Sequence, residues 1–246
     1  MTAVLVVAGS DSSGGAGLAR DLYTLARLET RALCAVTAVT AQSDTEMRAV
    51  HPMPPDLVRA QIAAALATTR IGAIKIGMLA TGAVALAVAA SLPPREQVPM
   101  VLDPVLRSSS GGALLDEAGR EALTQELLPR ATLLTPNIPE IASLLGTAVA
   151  GTEAELIEQG RALLALGPRA VLAKGGHGRG DEAVDLLLVE GQPVRRLSSP
   201  RSARTVRGTG CALASAIAAG LAAGLSLEEA CVRGKQHLVE LFQKEV

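Results

Sequence analysis

The chain has 246 residues, of which 49% are hydrophobic and 19% are charged, and its formal net charge is −1. Aromatic residues make up only 1%, since the chain has one Tyr, one Phe and no Trp. This shortage argues against proteins that stack single-stranded bases on aromatic platforms. The balanced charge argues against a basic nucleic-acid footprint, so we expect no nucleic-acid partner.

Targeting signals are weak in this chain. Its first residues lack the basic region of a signal peptide. Its longest apolar stretch, residues 212–225, is shorter than the roughly 18 residues that span a bilayer. Cys34, Cys211 and Cys231 lie far apart without a CxxC pair, which fits a reducing compartment. We therefore expect a cytoplasmic protein with no membrane partner, and we place Cys34 and Cys231 in the core.

Apolar runs of strand length alternate with segments of helical periodicity along the chain. Strands are predicted over residues 4–8, 35–40, 73–76, 100–102, 132–134, 170–173 and 184–189. Helices are predicted over residues 16–28, 56–69, 81–91, 116–128, 138–145, 153–166, 210–223 and 227–243. Continuous apolar strands separated by helices favour an α/β fold, with a mainly parallel sheet covered on both faces. No linker is visible, so we predict one domain over residues 1–246.

Polar residues and glycines follow the predicted strands at the points where each strand ends. Open parallel sheets bind ligands beyond the carboxyl ends of their strands, so this edge is the expected site. The residues that fall there include Gly9, Gln42, Met78, Asp103, Asn137 and Lys174.

The first glycine cluster, residues 9–17, follows a strand and opens a helix. Backbone N–H groups there could face an anionic or polar ligand. The cluster matches neither the dinucleotide fingerprint nor the phosphate-binding P-loop, so a tight turn is an equal alternative. Asp21 lies one turn into the helix, where a solvated carboxylate is the default interpretation.

The second glycine cluster is Gly208-Thr209-Gly210-Cys211, directly ahead of an Ala-rich helix. Its glycines allow close approach of a ligand, and the free N–H groups of the first helical turn suit a phosphoryl group. The helix dipole is expected to lower the pKa of the Cys211 thiol. Cys211 could then accept a proton from an alcohol or simply hold the substrate. The alternative is a cysteine that packs as a small hydrophobic residue.

Four further residues suggest chemistry at the strand ends. Asn137 and Glu140 could hold Mg²⁺ through water, although the same spacing is typical of a helix-capping box. Lys174 could neutralise nucleotide phosphates as a point charge. Gln42 could make two directional hydrogen bonds to a ring amide or amidine.

The chain resembles the hydroxymethylpyrimidine/phosphomethylpyrimidine kinases of the ribokinase-like superfamily. The matching segments occur in the family's order over nearly the whole chain, and together they are highly specific. They are residues 8–17 (AGSDSSGGAG), 37–42 (TAVTAQ), 75–79 (KIGML), 101–105 (VLDPV), 135–140 (TPNIPE), 174–177 (KGGH) and 208–211 (GTGC).

The resemblance implies a three-layer ribokinase-like fold, ATP with Mg²⁺, and two phosphorylations of a hydroxymethylpyrimidine in thiamine biosynthesis. It also implies residue roles at matching positions. Gly9, Asp21, Gln42, Met78 and Val105 would bind the pyrimidine, and Cys211 would lie nearest the reacting hydroxyl. The remaining assignments are an anion hole formed by Gly208, Thr209 and Gly210, metal contacts from Asp103 and Glu140, and ATP contacts from Asn137, Lys174 and Thr205.

The sequence departs from the family in two segments. Residues 205–207 (TVR) stand where the family commonly has Asn-Thr-His, and Ser108–Ser110 stand where it commonly has a Lys. Arg107 and Arg207 are the candidates to supply the missing positive charge, although Arg and Lys differ in geometry. A pyridoxal-type kinase and a catalytically impaired pyrimidine-binding regulator are the two alternatives. The resemblance also suggests a homodimer, in which the strand near residues 31–41 could join the interface.

Because aromatic residues are so few, we expect hydrogen bonds from Gln42 and packing by Met78 to replace ring stacking. For the same reason, we expect an aliphatic slot for adenine near the last two helices.

Overall fold

The computed structural model describes residues 2–107, 112–176 and 180–244. Within them, nine strands form one sheet with the order β3-β2-β1-β4-β5-β6-β7-β8-β9. Pairing is parallel from β2 through β1, β4, β5 and β6 to β7, and antiparallel at β3, β8 and β9. The strands are β1 Ala3–Asp11, β2 Arg31–Gln42, β3 Met47–Pro52, β4 Ile71–Ile76, β5 Met100–Leu102, β6 Leu133–Leu134, β7 Ala170–Lys174, β8 Glu182–Val189 and β9 Arg195–Pro200.

Eight α-helices within the described residues connect and cover the strands. They are α1 Gly17–Arg27, α2 Pro55–Thr68, α3 Gly82–Ser91, α4 Glu117–Ala122, α5 Ile138–Leu145, α6 Glu153–Leu164, α7 Thr209–Ala222 and α8 Leu227–Lys244. Local sequence explains several helix starts. Thr81 and Asp116 cap α3 and α4, while α5 and α6 begin with the capping boxes Asn137/Glu140 and Thr152/Glu155.

Two aliphatic cores lie on opposite faces of the sheet. One core takes side chains from helices α2, α3, α5 and α6, and the other takes them from α1, α7 and α8. Alternate residues of β1 serve the two faces, with Leu5 and Val7 in the first core and Val4 and Val6 in the second. These layers confirm the predicted α/β fold. None of the helices in the described part of the chain is both long and apolar enough to cross a membrane.

Two strands and one helix differ from the sequence prediction. The strands β3 and β9 were not predicted, because both lie at sheet edges and their sequences, MRAVHP and RRLSSP, lack an apolar run. The helix predicted over residues 116–128 is α-helical only to Ala122, and π-helical and 3-10 turns complete it. Pro129 lies in the 3-10 turn and cannot donate the hydrogen bond that would continue an α-helix, which fits the end of the helical segment there.

The structure corrects one of the two predicted core cysteines. Cys231 is buried as expected, and burial raises the pKa of its thiol to about 12. Cys34 is exposed instead. Strand β3 pairs only with residues 38–42 of β2, so the first half of β2, including Cys34, has no neighbouring strand on its outer side among the described residues.

Candidate active site

A cavity of about 620 Å³ lies beyond the carboxyl ends of the parallel strands, where the sequence predicts the site. Every predicted site residue except Asp21 lines it. Those residues are Gly9, Gln42, Met78, Asp103, Val105, Asn137, Glu140, Lys174, Thr205, Gly208, Thr209, Gly210 and Cys211. Ser108–Ser110, Gly111 and His177 lie outside the described residues.

The two glycine clusters meet at the start of α7. Gly208 precedes this helix with a φ of 70°, which is left-handed backbone that favours glycine. A Cβ on Gly208 would lie 2.4 Å from the carbonyl oxygen of Gly15, so the two turns are packed backbone against backbone. Residues of both clusters line the cavity, among them Gly9 and Gly17 of the first and Gly208 and Gly210 of the second.

A buried charge pair stands beside these N–H groups. Lys174 Nζ donates to Asp103 Oδ1 at 2.8 Å, and the Thr135 hydroxyl donates to the same oxygen at 3.1 Å. A Cβ on Gly210 would lie 3.1 Å from Lys174 Nζ and 3.6 Å from Asp103 Oδ2. The glycine thus lets the helix start come within contact distance of the ion pair.

Burial and charge oppose each other at this pair. Burial alone would raise the pKa of Asp103, but the ammonium groups of Lys174 and Lys75 outweigh it and hold that pKa below its usual value. Burial likewise disfavours the charged form of Lys174, but Asp103 and Glu140 raise its pKa. Both groups are therefore charged at neutral pH, and the site contains a fixed ammonium at its centre.

Glu140 lies on the cavity wall and also caps α5. The Asn137 N–H donates to Glu140 Oε2 at 2.7 Å, and the Glu140 N–H donates to Asn137 Oδ1 at 2.8 Å. Burial raises the pKa of Glu140 to about 7, partly offset by Lys174. The predicted capping box of Asn137 and Glu140 is therefore present. The carboxyl group of Glu140 also belongs to the cavity wall.

The structure corrects the expected acidity of Cys211. Burial raises the pKa of its thiol to about 11, although Lys75 and the Gly17 N–H act in the opposite direction. The loss of water around the sulfur outweighs the Lys75 ammonium and the Gly17 N–H, so Cys211 is a protonated thiol at neutral pH.

The structure also corrects the predicted substrate contact of Asp21. This residue is fully buried and does not line the cavity. Its carboxylate accepts a hydrogen bond from Lys75 Nζ at 2.8 Å and another from the Ser215 hydroxyl at 2.8 Å. Asp21 therefore joins α1, β4 and α7 beneath the site, where it compensates the buried charge of Lys75.

The end of the cavity nearest β1 and β2 is small and apolar. A Cβ on Gly9 would lie 2.9 Å from Met78 Sδ, so only glycine leaves that space open. Met78 belongs to a buried cluster with Ala38, Ala80 and Leu114, against which Val105 packs. Gln42 stands at the rim, where the Ser12 hydroxyl bonds both its backbone N–H (2.8 Å) and its carbonyl (2.7 Å). We call this part the ring end.

The opposite end of the cavity is formed by the last two helices and the sheet edge. Its apolar lining includes Leu213 of α7 and Leu238 and Phe242 of α8. Here Lys235 Nζ donates to Asp185 Oδ2 at 2.7 Å, and the Gly175 N–H donates to Asp185 Oδ1 at 3.0 Å. We call this part the α8 end.

Comparison with known proteins assigns the chain to a family. A family model described as phosphomethylpyrimidine kinase matches residues 11–246. A hydroxymethylpyrimidine/phosphomethylpyrimidine kinase of Rhizobium meliloti is 43% identical over 240 residues, covering 97% of this chain and 90% of that protein. The chain belongs to the phosphomethylpyrimidine kinase family. It is therefore a kinase, and such a family implies ATP as its phosphate donor.

Further relatives agree with this assignment. A protein of the same description from Escherichia coli is 42% identical over 217 residues, covering 87% of this chain and 81% of the relative. A crystal structure of phosphomethylpyrimidine kinase from Clostridium difficile superposes with a TM-score of 0.85 at 34% identity, covering 98% of this chain and 99% of that one. The pyridoxal kinase of Staphylococcus aureus in complex with pyridoxal superposes with a TM-score of 0.89 at 30% identity, covering 99% of this chain and 88% of that one. The ribokinase-like architecture is thus confirmed.

Several cavity residues were not predicted from the sequence. Lys75 interrupts an apolar strand, which is a usable signal, since a buried lysine needs a nearby carboxylate. Asp185 interrupts β8 in the same way, and its partner Lys235 follows 50 residues later. Leu114 carried no signal that separates it from ordinary core leucines.

The positive charge of Arg207 is paired with carboxylates in the site. Its guanidinium lies 3.3 Å from Asp11 Oδ2 and 2.8 Å from Asp44 Oδ1. The charge that was considered as a replacement for a family lysine is thus balanced by two carboxylates. Arg107, the other candidate, lines the cavity next to the segment outside the described residues.

Proposed function

We propose that this kinase uses ATP to phosphorylate the hydroxymethyl group of 4-amino-5-hydroxymethyl-2-methylpyrimidine, and then phosphorylates the resulting monophosphate, in thiamine biosynthesis. One observation carries the proposal. A single cavity joins a small apolar end that carries a glutamine to a glycine turn that carries a buried ammonium. The first part fits a polar six-membered ring, and the second fits a transferring phosphoryl group.

At the ring end, Gln42 would recognise the pyrimidine through its side-chain amide. A carboxamide offers one acceptor and two donors, which match the ring nitrogen and amino group of an aminopyrimidine. Met78 and Val105 would pack against the ring faces, and Gly9 would leave room for the ring's edge. This division supports recognition without aromatic stacking, in keeping with the composition.

At the phosphoryl end, the N–H groups of Gly208, Thr209 and Gly210 would bind the transferring group. Phosphoryl transfer depends on positioning and on stabilising charge spread over the equatorial oxygens. Lys174 would add a fixed positive charge, and its pairing with Asp103 keeps the ammonium in place beside the helix start. Asn137 and Thr205 would contact ATP, whose adenine would lie at the α8 end.

Cys211 would position the reacting hydroxymethyl group rather than deprotonate it. A thiol whose pKa is about 11 is a poor base at neutral pH, but it can form weak hydrogen bonds with an alcohol. The position of Cys211 in the first turn of α7 places it next to the proposed anion hole. The hydroxyl proton would pass to an oxygen of the transferring phosphoryl group as the new oxygen–phosphorus bond forms and ADP departs.

The donor chemistry near Lys174 fits Mg²⁺ held through water. In the part of the chain that the structure describes, no cluster of three or more His, Cys, Asp or Glu residues could enclose a metal. Mg²⁺ commonly keeps several waters and binds one or two carboxylates together with substrate phosphates. Asp103 and Glu140 provide two such carboxylates on the cavity wall, and we propose that they hold the hydrated ion. When bound, Mg²⁺ would neutralise phosphate charge.

An ADP-release assay with product masses tests the proposal. The purified enzyme is given ATP, Mg²⁺ and hydroxymethylpyrimidine, its monophosphate or pyridoxal in parallel reactions. We expect ADP from both pyrimidines, with monophosphate and diphosphate masses as products. Faster turnover of pyridoxal would support the pyridoxal-type alternative, whose activity the structural neighbour from S. aureus carries in its name. Pyrimidine binding without any ADP would support the impaired regulator.

Three broader expectations remain proposals. We propose one domain over residues 1–246, a cytoplasmic location and a homodimer. The dimer is supported by the family resemblance and by the exposed apolar side chain of Val39 on β2. Sedimentation at micromolar concentration should give twice the chain mass, and a monomer mass would contradict it.

A further inference from the structure

Arg207 joins two parts of the proposed site that lie far apart in the sequence. It immediately precedes Gly208, so its backbone belongs to the glycine turn of the anion hole. Its side chain extends along the first glycine cluster, where a Cβ on Gly15 would lie 3.1 Å from Arg207 Nη1. From there the guanidinium reaches the turn that follows Gln42.

The guanidinium contacts groups on both glycine-loop and hairpin segments. Arg207 Nη1 donates to the Ser13 hydroxyl at 2.7 Å, to Asp44 Oδ1 at 2.8 Å and to the Ser43 carbonyl at 3.3 Å. Arg207 Nη2 donates to Asp11 Oδ2 at 3.3 Å. One planar side chain therefore fastens the turn after β1 to the turn after β2.

The position of Gln42 depends on such contacts, because the sheet does not fix it alone. The pairing of β2 with β3 shifts register between Ala41 and Gln42, so Gln42 pairs with Met47 beyond an irregularity and is the last residue of β2. The residues that follow, 43–46, are exposed. Ser12 holds the backbone of Gln42 itself, and Arg207 holds the next two residues.

We infer that Arg207 is a positioning residue for the pyrimidine, which sets the distance between Gln42 and the glycine turn that receives the phosphoryl group. This inference rests on the proposed function. The carboxylates of Asp11 and Asp44 balance the positive charge of the guanidinium and fix the orientation of its plane, as a positioning role requires. Asp11 is buried and gives a fixed anchor, whereas the Asp44 side chain is 80% exposed. A misplacement of about 1 Å at a reacting centre is enough to slow transfer strongly.

The test compares Arg207→Ala with wild type for both pyrimidine substrates and for ATP. We expect the KM for hydroxymethylpyrimidine to rise about tenfold, with lower kcat and with the KM for ATP changed by less than about twofold. The variant should unfold within a few degrees of wild type, because Arg207 lies at the surface of the cavity and outside both cores. Arg207→Lys keeps the charge without the planar fork, so it should resemble Arg207→Ala more than wild type.

The double variant Arg207→Ala/Gln42→Ala separates positioning from a general structural effect. If Arg207 acts through Gln42, its removal should change the pyrimidine KM of Gln42→Ala by no more than about twofold. Arg48→Ala is the matched control. Arg48 pairs with Glu46 at 2.9 Å beside the same turn, but both side chains are exposed and this pair does not reach the glycine cluster. Its KM values should stay at wild-type level.

Several results would overturn the inference. Additive effects of Arg207→Ala and Gln42→Ala would show that Arg207 does not act through Gln42. A defect confined to the second phosphorylation would assign Arg207 to the substrate phosphate instead. If wild type is active and Arg207→Ala keeps the wild-type KM and kcat, the positioning role of Arg207 is contradicted but the proposed function is not. A wild type that phosphorylates neither pyrimidine would contradict the proposed function and, with it, the positioning of a pyrimidine.

Discussion

The two sides of the proposed transfer site are built in different ways. The phosphoryl end consists of backbone N–H groups and a lysine–aspartate pair whose side chains are 14% and 3% exposed. The ring end consists of Met78 and a few aliphatic neighbours, closed by contacts at exposed turns. The first is fixed from below by the core, whereas the second combines a small buried floor around Met78 with a glutamine that is held at the rim.

This difference suggests where the enzyme tolerates change. Interactions at the phosphoryl end are buried and charged, so the loss of one partner leaves another charge without compensation. Interactions at the ring end are single hydrogen bonds and apolar contacts, whose individual loss costs less. We therefore expect variants of the phosphoryl end to lower kcat and variants of the ring end to raise KM.

The largest effect is expected from Gly208→Ala. Its Cβ would meet the Gly15 carbonyl, so the glycine turn must shift and several amide donors move together. Turnover should fall by about 10³-fold or more, since even one lost donor of this kind costs about 10²-fold. Steady-state kinetics would measure the loss.

Gly224→Ala is the matched control for this prediction. Gly224 also has a positive φ, 87°, but nothing lies within 4 Å of its added Cβ. It should lose about 1 kcal/mol of unfolding free energy through backbone strain alone, with normal kcat. Equal turnover of the two variants would show that the turn at Gly208 does not bind the transferring group.

The next largest effect is expected from Lys174→Met. Removal of the ammonium takes away the fixed charge and leaves Asp103 buried without its partner. We expect kcat to fall about 10²-fold, with the KM for hydroxymethylpyrimidine nearly unchanged. Thr135→Val removes only the hydroxyl that donates to Asp103 and should cost less than about tenfold. A KM effect without a kcat effect would break the proposed division between the two ends.

Gln42→Ala tests whether a residue of the ring end controls the KM for the pyrimidine. Because no aromatic side chain lines this end in the described residues, the substrate has little else to orient it. The pyrimidine KM should rise about 30-fold, since two hydrogen bonds of about 1 kcal/mol each are lost. Gln192→Ala, at an exposed turn between β8 and β9, is the control and should match wild type. Unchanged pyrimidine affinity in Gln42→Ala would remove Gln42 from substrate recognition.

The smallest effect is expected in the pH dependence contributed by Cys211. Burial raises the pKa of this thiol to about 11, so the thiol form prevails below that pH and the thiolate appears only above it. Wild type and Cys211→Ala should therefore show pH–rate profiles of the same shape between pH 6 and 9, with a lower plateau for the variant. An inflection near pH 8 that disappears in Cys211→Ala would show a thiolate at work.

Much of the architecture could be predicted from the sequence, because central strands and their helices carry strong local patterns. Buried strands such as β1 read as continuous apolar runs, and glycines mark the turns where the backbone meets a ligand. Edge strands carry no such pattern, since only one side of each is paired and their side chains are largely exposed.

The electrostatics of the site could not be predicted in the same way. The pair Lys75–Asp21 joins residues 54 positions apart, and Arg207–Asp44 joins residues 163 apart, so neither is visible in a local pattern. The acidity of Cys211 was predicted with the wrong sign because sequence shows the helix start but not the loss of water around the sulfur. Burial decides the direction of such pKa shifts, and burial is known only once the chain has folded.

A crystal structure with Mg²⁺, a non-hydrolysable ATP analogue and hydroxymethylpyrimidine tests the two-ended site most directly. We expect the ring against Met78 with Gln42 hydrogen-bonded to it, and the hydroxymethyl oxygen beside Cys211. The terminal phosphate of the analogue should lie between Lys174 and the first N–H groups of α7. A pyrimidine bound at the α8 end, or a terminal phosphate away from Lys174, would contradict the proposed arrangement.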